Sequence, residues 1–245
     1  MTKEKISSMI DHTLLNPFTG IQSIEKLCSQ AKKYNFASVC VNPSFVNVAK
    51  ENLKDSKVKV CTVVGFPLGA IPSENKAFET TLAIQNGADE IDMVINLNSA
   101  FDKDFDFVQS DIESVVKAAK DEGSKIGKNI IVKVILETCF LDDESIKQCC
   151  VCAKNAKADF VKTSTGFAIC KNDDGTLKPN GATYHHVKLM AETVGSELKV
   201  KASGGIRSAS DAKTFLEAGA SRIGTSSGVQ IVDTWNESEK VKGWD

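Results

Sequence analysis

Asp92, Lys162 and Lys201 are the residues of this sequence best suited to covalent chemistry, and each closes a short β-branched run. The runs are Glu90-Ile91-Asp92-Met93-Val94, Phe160-Val161-Lys162-Thr163 and Lys199-Val200-Lys201-Ala202. A lysine in a buried strand is costly unless it is paired or neutral. Two lysines at similar height on adjacent strands repel each other's protons, which moves one amine toward neutrality and makes it nucleophilic. A neutral amine condenses with an aldehyde to an iminium, an electron sink, and a nearby carboxylate can move the protons. Residue types and spacing do not say which lysine is the nucleophile. Taken singly, each residue could equally be a rim side chain, a turn cap or part of an ion-pair network. Projected together to one mouth, they favour catalysis. Lys199, on Lys201's side by the strand period but lower, reads as a solvated rim residue.

Two glycine-containing segments follow the later strands. Gly204-Gly205-Ile206-Arg207 comes after Lys201, and Gly224-Thr225-Ser226-Ser227-Gly228 ends the chain's last β-branched run. Glycines let backbone N–H groups approach an oxyanion, Ser226 and Ser227 add hydroxyl donors at a helix start, and Arg207 adds a charge. A lone Gly-Gly more often just makes a turn. Two such segments at these positions read as a phosphate site.

These side chains need a scaffold whose strand ends converge. Strands are predicted over 11–15, 36–41, 58–64, 90–95, 130–136, 159–163, 198–202 and 221–224. Helices are predicted over 21–34, 44–53, 73–86, 105–122, 142–155, 182–194 and 208–218, with a short turn from Thr225. In the first of these, Ile21, Ile24, Leu27, Cys28 and Ala31 share one face. Eight such βα units imply a parallel sheet, and 245 residues is close to the ~250 of one (β/α)₈ barrel. The expected fold is therefore α/β, a single-domain (β/α)₈ TIM barrel over 1–245. An open doubly wound sheet is the alternative, and the strand count and phosphate segments favour closure. Gly87-Ala88-Asp89 and Gly219-Ala220-Ser221 read as αβ turns with a left-handed helix cap. The polar stretch 233–245 is expected to be a mobile C-terminal tail detached from the core.

Bulk composition narrows the function classes. A net charge of −2 advertises neither nucleic acid nor an anionic membrane surface. The longest apolar run, 130–136, is interrupted by Lys133 and too short to span a bilayer. The charged start, Met1–Ile10, lacks a signal-peptide core, so a cytoplasmic protein is expected. The eight cysteines read as free thiols: Cys149, Cys150 and Cys152 cluster on a helix without a matching Cys/His pair. His12, His185 and His186 cannot readily form a triad with strand carboxylates, so no metal is expected.

Longer motifs now identify a resemblance. Ile10-Asp11-His12-Thr13-Leu14-Leu15, Cys40-Val41-Asn42-Pro43, Val64-Gly65-Phe66-Pro67-Leu68-Gly69, the segment from Phe160 to Phe167, the segment from Val200 to Arg207 and Arg222-Ile223-Gly224-Thr225-Ser226-Ser227-Gly228 resemble deoxyribose-phosphate aldolases. The match runs from Ile10 to about Val232, and the two lysine motifs in that order are specific. The resemblance implies reversible cleavage of 2-deoxy-D-ribose 5-phosphate to D-glyceraldehyde 3-phosphate and acetaldehyde, in deoxyribonucleotide catabolism, with neither metal nor organic cofactor. It implies that Lys162 forms the Schiff base, Lys201 tunes it and moves protons, and Asp92 relays protons. Gly166, Gly204, Gly205, Arg207, Gly224, Ser226 and Ser227 are the expected phosphate and substrate contacts. Asp11, which could orient Lys201 or simply hold a turn, and Cys40, expected as a bystander, are the further candidates to line the site. The implied partner is a small sugar phosphate, and the resemblance suggests a homo-oligomer. Some relatives use a C-terminal tyrosine; here the last tyrosine is Tyr184. Some carry a lysine where this chain has Phe167, which shifts phosphate binding toward backbone N–H groups and Arg207. Lys133 and Glu137, on one face of the fifth strand, are expected to pair near Lys162, in a structural or a functional role.

Overall fold

A computed structural model describes residues 1–172 and 174–244. Eight parallel strands close on themselves in chain order. They are β1 (Ile10–Leu14), β2 (Ser38–Val41), β3 (Lys59–Val64), β4 (Glu90–Val94), β5 (Ile131–Ile135), β6 (Phe160–Lys162), β7 (Lys199–Ser203) and β8 (Arg222–Thr225). The helices are α1 (Lys3–Ser7), α2 (Ile21–Tyr34), α3 (Val46–Leu53), α4 (Ser73–Gln85), α5 (Leu97–Phe101), α6 (Phe105–Lys125), α7 (Asp143–Asn155), α8 (Tyr184–Val194), α9 (Ala209–Glu217) and α10 (Gly228–Asp233). Every predicted strand is present within two residues at each end. Two short helices escaped the sequence reading: α1, begun by a Thr2 side-chain cap, and α5, begun by Asn96. Five residues are too few for a 3.6-residue period to stand out.

The outward side chains, among them Val39, Val60, Ile91, Met93, Val132, Val134, Val161, Val200 and Ile223, form one continuous core with the helices. A parallel sheet with both faces covered reads as such apolar runs. Inside the barrel, where branched aliphatics usually stack in layers, the side chains of Asp11, Ser38, Glu90, Asp92, Lys133, Lys201 and Arg222 meet one another. The scaffold encloses an ionic centre in an apolar jacket.

A second buried ion pair braces the strand that carries Asp92. Lys76 of α4 donates to Asp111 of α6 at 2.6 Å and to the carbonyl of Val94, the last residue of β4, at 2.9 Å. Asp111 also accepts from Ser73 Oγ and from the Asn96 N–H. Burial pulls the Lys76 ammonium below the ordinary lysine value, against the pull of Asp111.

The expectation of a tail detached after Val232 is corrected for residues 233–244. Trp235 and Val241 belong to the main core, and Trp235 Nε1 donates to the Met1 carbonyl at 3.0 Å. Trp244 Nε1 donates to the carbonyl of Leu216 on α9. Three apolar side chains spaced among charges anchor a segment whose average composition is polar. None of these residues lines the principal cavity. Among the described residues, no helix is long and apolar enough to cross a membrane.

Lys76→Met should leave a buried, unpaired Asp111 carboxylate and lower the unfolding free energy by about 3–5 kcal/mol. Adding Asp111→Leu should recover most of it. Urea unfolding of the single and double variants measures both; a single-variant loss near zero would show that the pair is dispensable.

Candidate active site

Asp92 stands at the centre of the barrel and touches three lysines. Its Oδ2 lies 2.8 Å from Lys162 Nζ and 2.7 Å from Lys201 Nζ, and its Oδ1 lies 2.8 Å from Lys133 Nζ. Register explains the convergence: Asp92 pairs with Lys133 across β4 and β5, and Lys162 with Lys201 across β6 and β7. Lys201 also contacts Asp11 Oδ2 at 2.5 Å, and Lys133 contacts Glu90 Oε2 at 2.5 Å. Arg222 closes the network from the start of β8, at 2.6 Å from Asp11 and 3.3 Å from Glu90. Ser38 Oγ donates to Asp11, and Cys61 Sγ to Asp92.

Lysine-to-lysine repulsion was the expected electrostatics of this site; the structure puts a shared carboxylate between the two amines instead. Burial by itself would raise the Asp92 carboxyl, but Lys133, Lys162 and Lys201 outweigh it and hold Asp92 well below the carboxylate range. Burial likewise opposes the Asp11 charge and is overcome by Arg222, then Lys201 and Lys133. Burial disfavours the Lys201 ammonium, yet Asp11 and Asp92 raise it above the usual lysine value. Four cations (Lys133, Lys162, Lys201 and Arg222) thus face three anions (Asp11, Glu90 and Asp92).

Of the lysines, Lys162 alone lines the principal cavity, which measures about 600 Å³. Its walls include Gly166, Gly204, Gly205, Arg207, Gly224 and Ser226, all expected at the site, together with Thr13 and Leu14 at the end of β1, the start of the β1–α2 loop from Leu15 to Phe18, and Phe167. Phe167 packs edge-on against Phe66, with ring centroids 5.3 Å apart. Gly224 has a further duty: a Cβ there would stand 2.9 Å from Lys201 Cε. The missing side chain makes room for the lysine.

Four expectations need correction. Ser227 does not line this cavity; its N–H donates to Thr225 Oγ1, and it borders a separate hollow with His12 and Gln30. Asp11 and Cys40 are not walls either: Asp11 contacts Lys201 at 2.5 Å, where it can orient that lysine, while Cys40 is a bystander that packs with Leu15, Cys61 and Val63. Glu137 does not pair with Lys133. The chain turns left-handed at Glu137 (φ 54°), and the buried carboxylate accepts from the Thr165 N–H at 3.2 Å and from the Thr165 hydroxyl. Burial raises its pKa. His185 is on the surface, bridged to Asp143. Sequence reading missed Glu90 and Arg222 as network members. Glu90 is two residues before Asp92, hence on the same face; Arg222 gave no local signal.

Comparison with known proteins follows this geometry. A family profile described as DeoC/LacD family aldolase matches residues 6–233. The deoxyribose-phosphate aldolase of Thermoanaerobacter sp. (strain X514) is 53% identical over 232 residues, covering 95% of this chain and 97% of that protein. That of Clostridium perfringens (strain 13 / Type A) is 52% identical over 233 residues, covering 95% and 96%. The solved deoxyribose phosphate aldolase from Aeropyrum pernix superposes with a TM-score of 0.83 at 34% identity, covering 95% of this chain and 92% of that one.

The depressed carboxyls carry a pH signature. A group whose folded pKa lies below its unfolded value, about 3.9 for aspartate, adds stability above that value and loses it as pH falls toward the folded pKa. Stability should therefore drop steeply below about pH 4. Asp11→Asn should start less stable and show a shallower acid dependence. Urea midpoints across this range test it, and an unchanged slope would place the acid sensitivity elsewhere.

Proposed function

The chain belongs to the DeoC/LacD family of aldolases, and from that premise we propose how its buried network divides the work of a deoxyribose-phosphate aldolase. The activity is class I aldol chemistry, the reversible cleavage of 2-deoxy-D-ribose 5-phosphate to D-glyceraldehyde 3-phosphate and acetaldehyde. One observation carries the assignment of roles: Lys162 borders the cavity, while Lys201 and Asp92 sit behind it on a shared oxygen.

Lys162, as a neutral amine, adds to the C1 aldehyde of the open-chain sugar. Loss of the carbinolamine hydroxyl as water gives an iminium. The Lys201–Asp92 pair supplies the proton for that departure and is left one proton short. It recovers a proton from the C3 hydroxyl, through a water molecule, as the C2–C3 bond breaks and its electrons flow into the iminium. D-glyceraldehyde 3-phosphate leaves. The pair then protonates the enamine at carbon, and hydrolysis frees acetaldehyde. Because Asp92 is so strongly held as a carboxylate, the shuttled proton rides on Lys201, and Asp92 stabilises the ammonium that carries it. Asp11, fixed by Arg222 and Ser38, aims Lys201 at Asp92.

The phosphate lies against Gly166, Gly204, Gly205, Arg207 and Ser226, which follow β6, β7 and β8 and line the same cavity as Lys162. Backbone N–H groups, one hydroxyl and one guanidinium suit a dianion. No step of this scheme calls on a metal or an organic cofactor. We place the enzyme in the cytoplasm as a homo-oligomer. The Aeropyrum pernix relative is tetrameric, and Phe78, Leu82, Phe101 and Phe107 offer exposed apolar surface for assembly.

Borohydride reduction in the presence of acetaldehyde should add one ethyl group to Lys162 and inactivate the enzyme. Peptide mapping that finds the label on Lys201 would overturn the assignment of roles. Lys201→Leu should lower kcat by about 10²–10⁴-fold with an unchanged circular dichroism spectrum; near-normal turnover would make this lysine merely structural. For the phosphate site, Ser226→Asp should depress kcat/KM for 2-deoxyribose 5-phosphate far more than for 2-deoxyribose, through poorly screened repulsion. Ser227→Asp should discriminate much less. Equal proportional losses with Ser226→Asp would move the phosphate elsewhere.

A further inference from the structure

Two thiols meet beside the loop that carries Gly166 and Phe167. Cys139, on the short turn after β5, and Cys170, in the loop between β6 and α8, have their Sγ atoms 2.8 Å apart. Both are free cysteines, Cys170 buried and Cys139 half-buried. Neither takes part in the chemistry above.

Their positions connect two walls of the site. Cys139 lies two residues after Glu137, whose carboxylate holds Thr165. Cys170 lies four residues beyond Gly166 and three beyond Phe167, both on the cavity wall. From Cys170 the loop runs through a bridge between Lys171 and Leu177, and the Lys178 N–H returns to the Cys170 carbonyl at 2.9 Å. The loop then reaches the end of β7. There Gly181 packs so closely on Gly204 that a Cβ on Gly181 would stand 2.2 Å from the Gly204 oxygen, and the Ala182 N–H donates to the Ser203 carbonyl. One loop thus spans from the Gly166 wall to the Gly204 wall, and its near end rests on Cys139.

We propose that Cys139 and Cys170 form a reversible disulfide that staples this loop in the position seen here and responds to peroxide. Burial, the Cys170 sulfur and the Glu137 carboxylate hold the Cys139 thiol above its ordinary value, which makes the reaction slow. As the more accessible of the two, Cys139 takes one oxygen from hydrogen peroxide as a sulfenic acid, and one water leaves. The Cys170 sulfur displaces that hydroxyl, its own proton leaving with it as a second water. Two thiols and one peroxide become one disulfide and two waters. A dithiol reductant returns the two hydrogens. The sulfurs need to approach by less than about 1 Å to reach bonding distance. The staple keeps Gly166 and Phe167 on the cavity wall, so binding a sugar phosphate no longer has to order the loop.

The test oxidises the whole enzyme with hydrogen peroxide, beside Cys170→Ser and Cys139→Ser variants. Expected are a loss of 2 Da, a fall from eight to six titratable thiols in denaturant, and a cross-linked peptide pair containing Cys139 and Cys170; dithiothreitol reverses all three. The melting temperature should rise by about 5 °C, and KM for 2-deoxyribose 5-phosphate should fall about threefold, with both variants unresponsive. Mass gains of 16 or 32 Da without a cross-link, eight surviving thiols, or a bond joining other cysteines would overturn the proposal. A cross-linked enzyme whose KM is unchanged or higher would overturn it too. Only the KM measurement rests on the aldolase reading: absence of turnover in the reduced enzyme would fault that reading, while mass and thiol count still judge the disulfide.

Discussion

The carboxylate of Asp92 is the constraint around which the barrel is arranged. A charged group so deeply buried costs several kcal/mol unless every neighbour is arranged to receive it. Lys133, Lys162, Lys201 and the Cys61 thiol all do so. Lys133 and Lys201 then need support of their own, from Glu90 and Asp11, and Arg222 holds those two carboxylates in turn. Even a glycine is part of this, since Gly224 leaves the volume that the stem of Lys201 fills. The network is costly to assemble but self-consistent, and it presents a single amine to the cavity.

This arrangement separates two tasks in space. Charges that act on the reacting bond come from inward side chains of the strands, which are held by register. The groups proposed to hold the phosphate come from loops at the strand ends, where Gly166, Gly204, Gly205 and Ser226 gather. Sites built on strands hold geometry more tightly than sites built on loops, and loops vary more freely. The chemistry is therefore fixed by the part of the molecule least able to move.

Much of this was legible in the sequence because the barrel repeats one local pattern eight times. Period-two strands bounded by amphipathic helices located every strand, and Asp92, Lys162 and Lys201 stood out because charged residues in such runs demand an explanation. What the sequence could not give was distance across the barrel. Lys133 was paired with Glu137 on the strength of spacing along one strand, whereas its partners come from β4 and β1, and the left-handed turn at Glu137 sends that carboxylate to Thr165. Ser227 was grouped with Ser226 by adjacency, but of the two only Ser226 also reaches the main cavity, while both border the hollow with His12 and Gln30. The last dozen residues read as polar on average, and three apolar side chains decide where they pack.

An ionic interior wrapped in an aliphatic jacket also responds to heat in two ways. Hydration of charged groups becomes less favourable on warming, so the desolvation cost of the centre falls, whereas hydrophobic stabilisation per unit area levels off. As temperature rises, the barrel's interior becomes relatively less costly just as its exterior approaches its limit. The catalytic centre is then not the first part to fail: it keeps its geometry up to the point at which the surrounding helices let go.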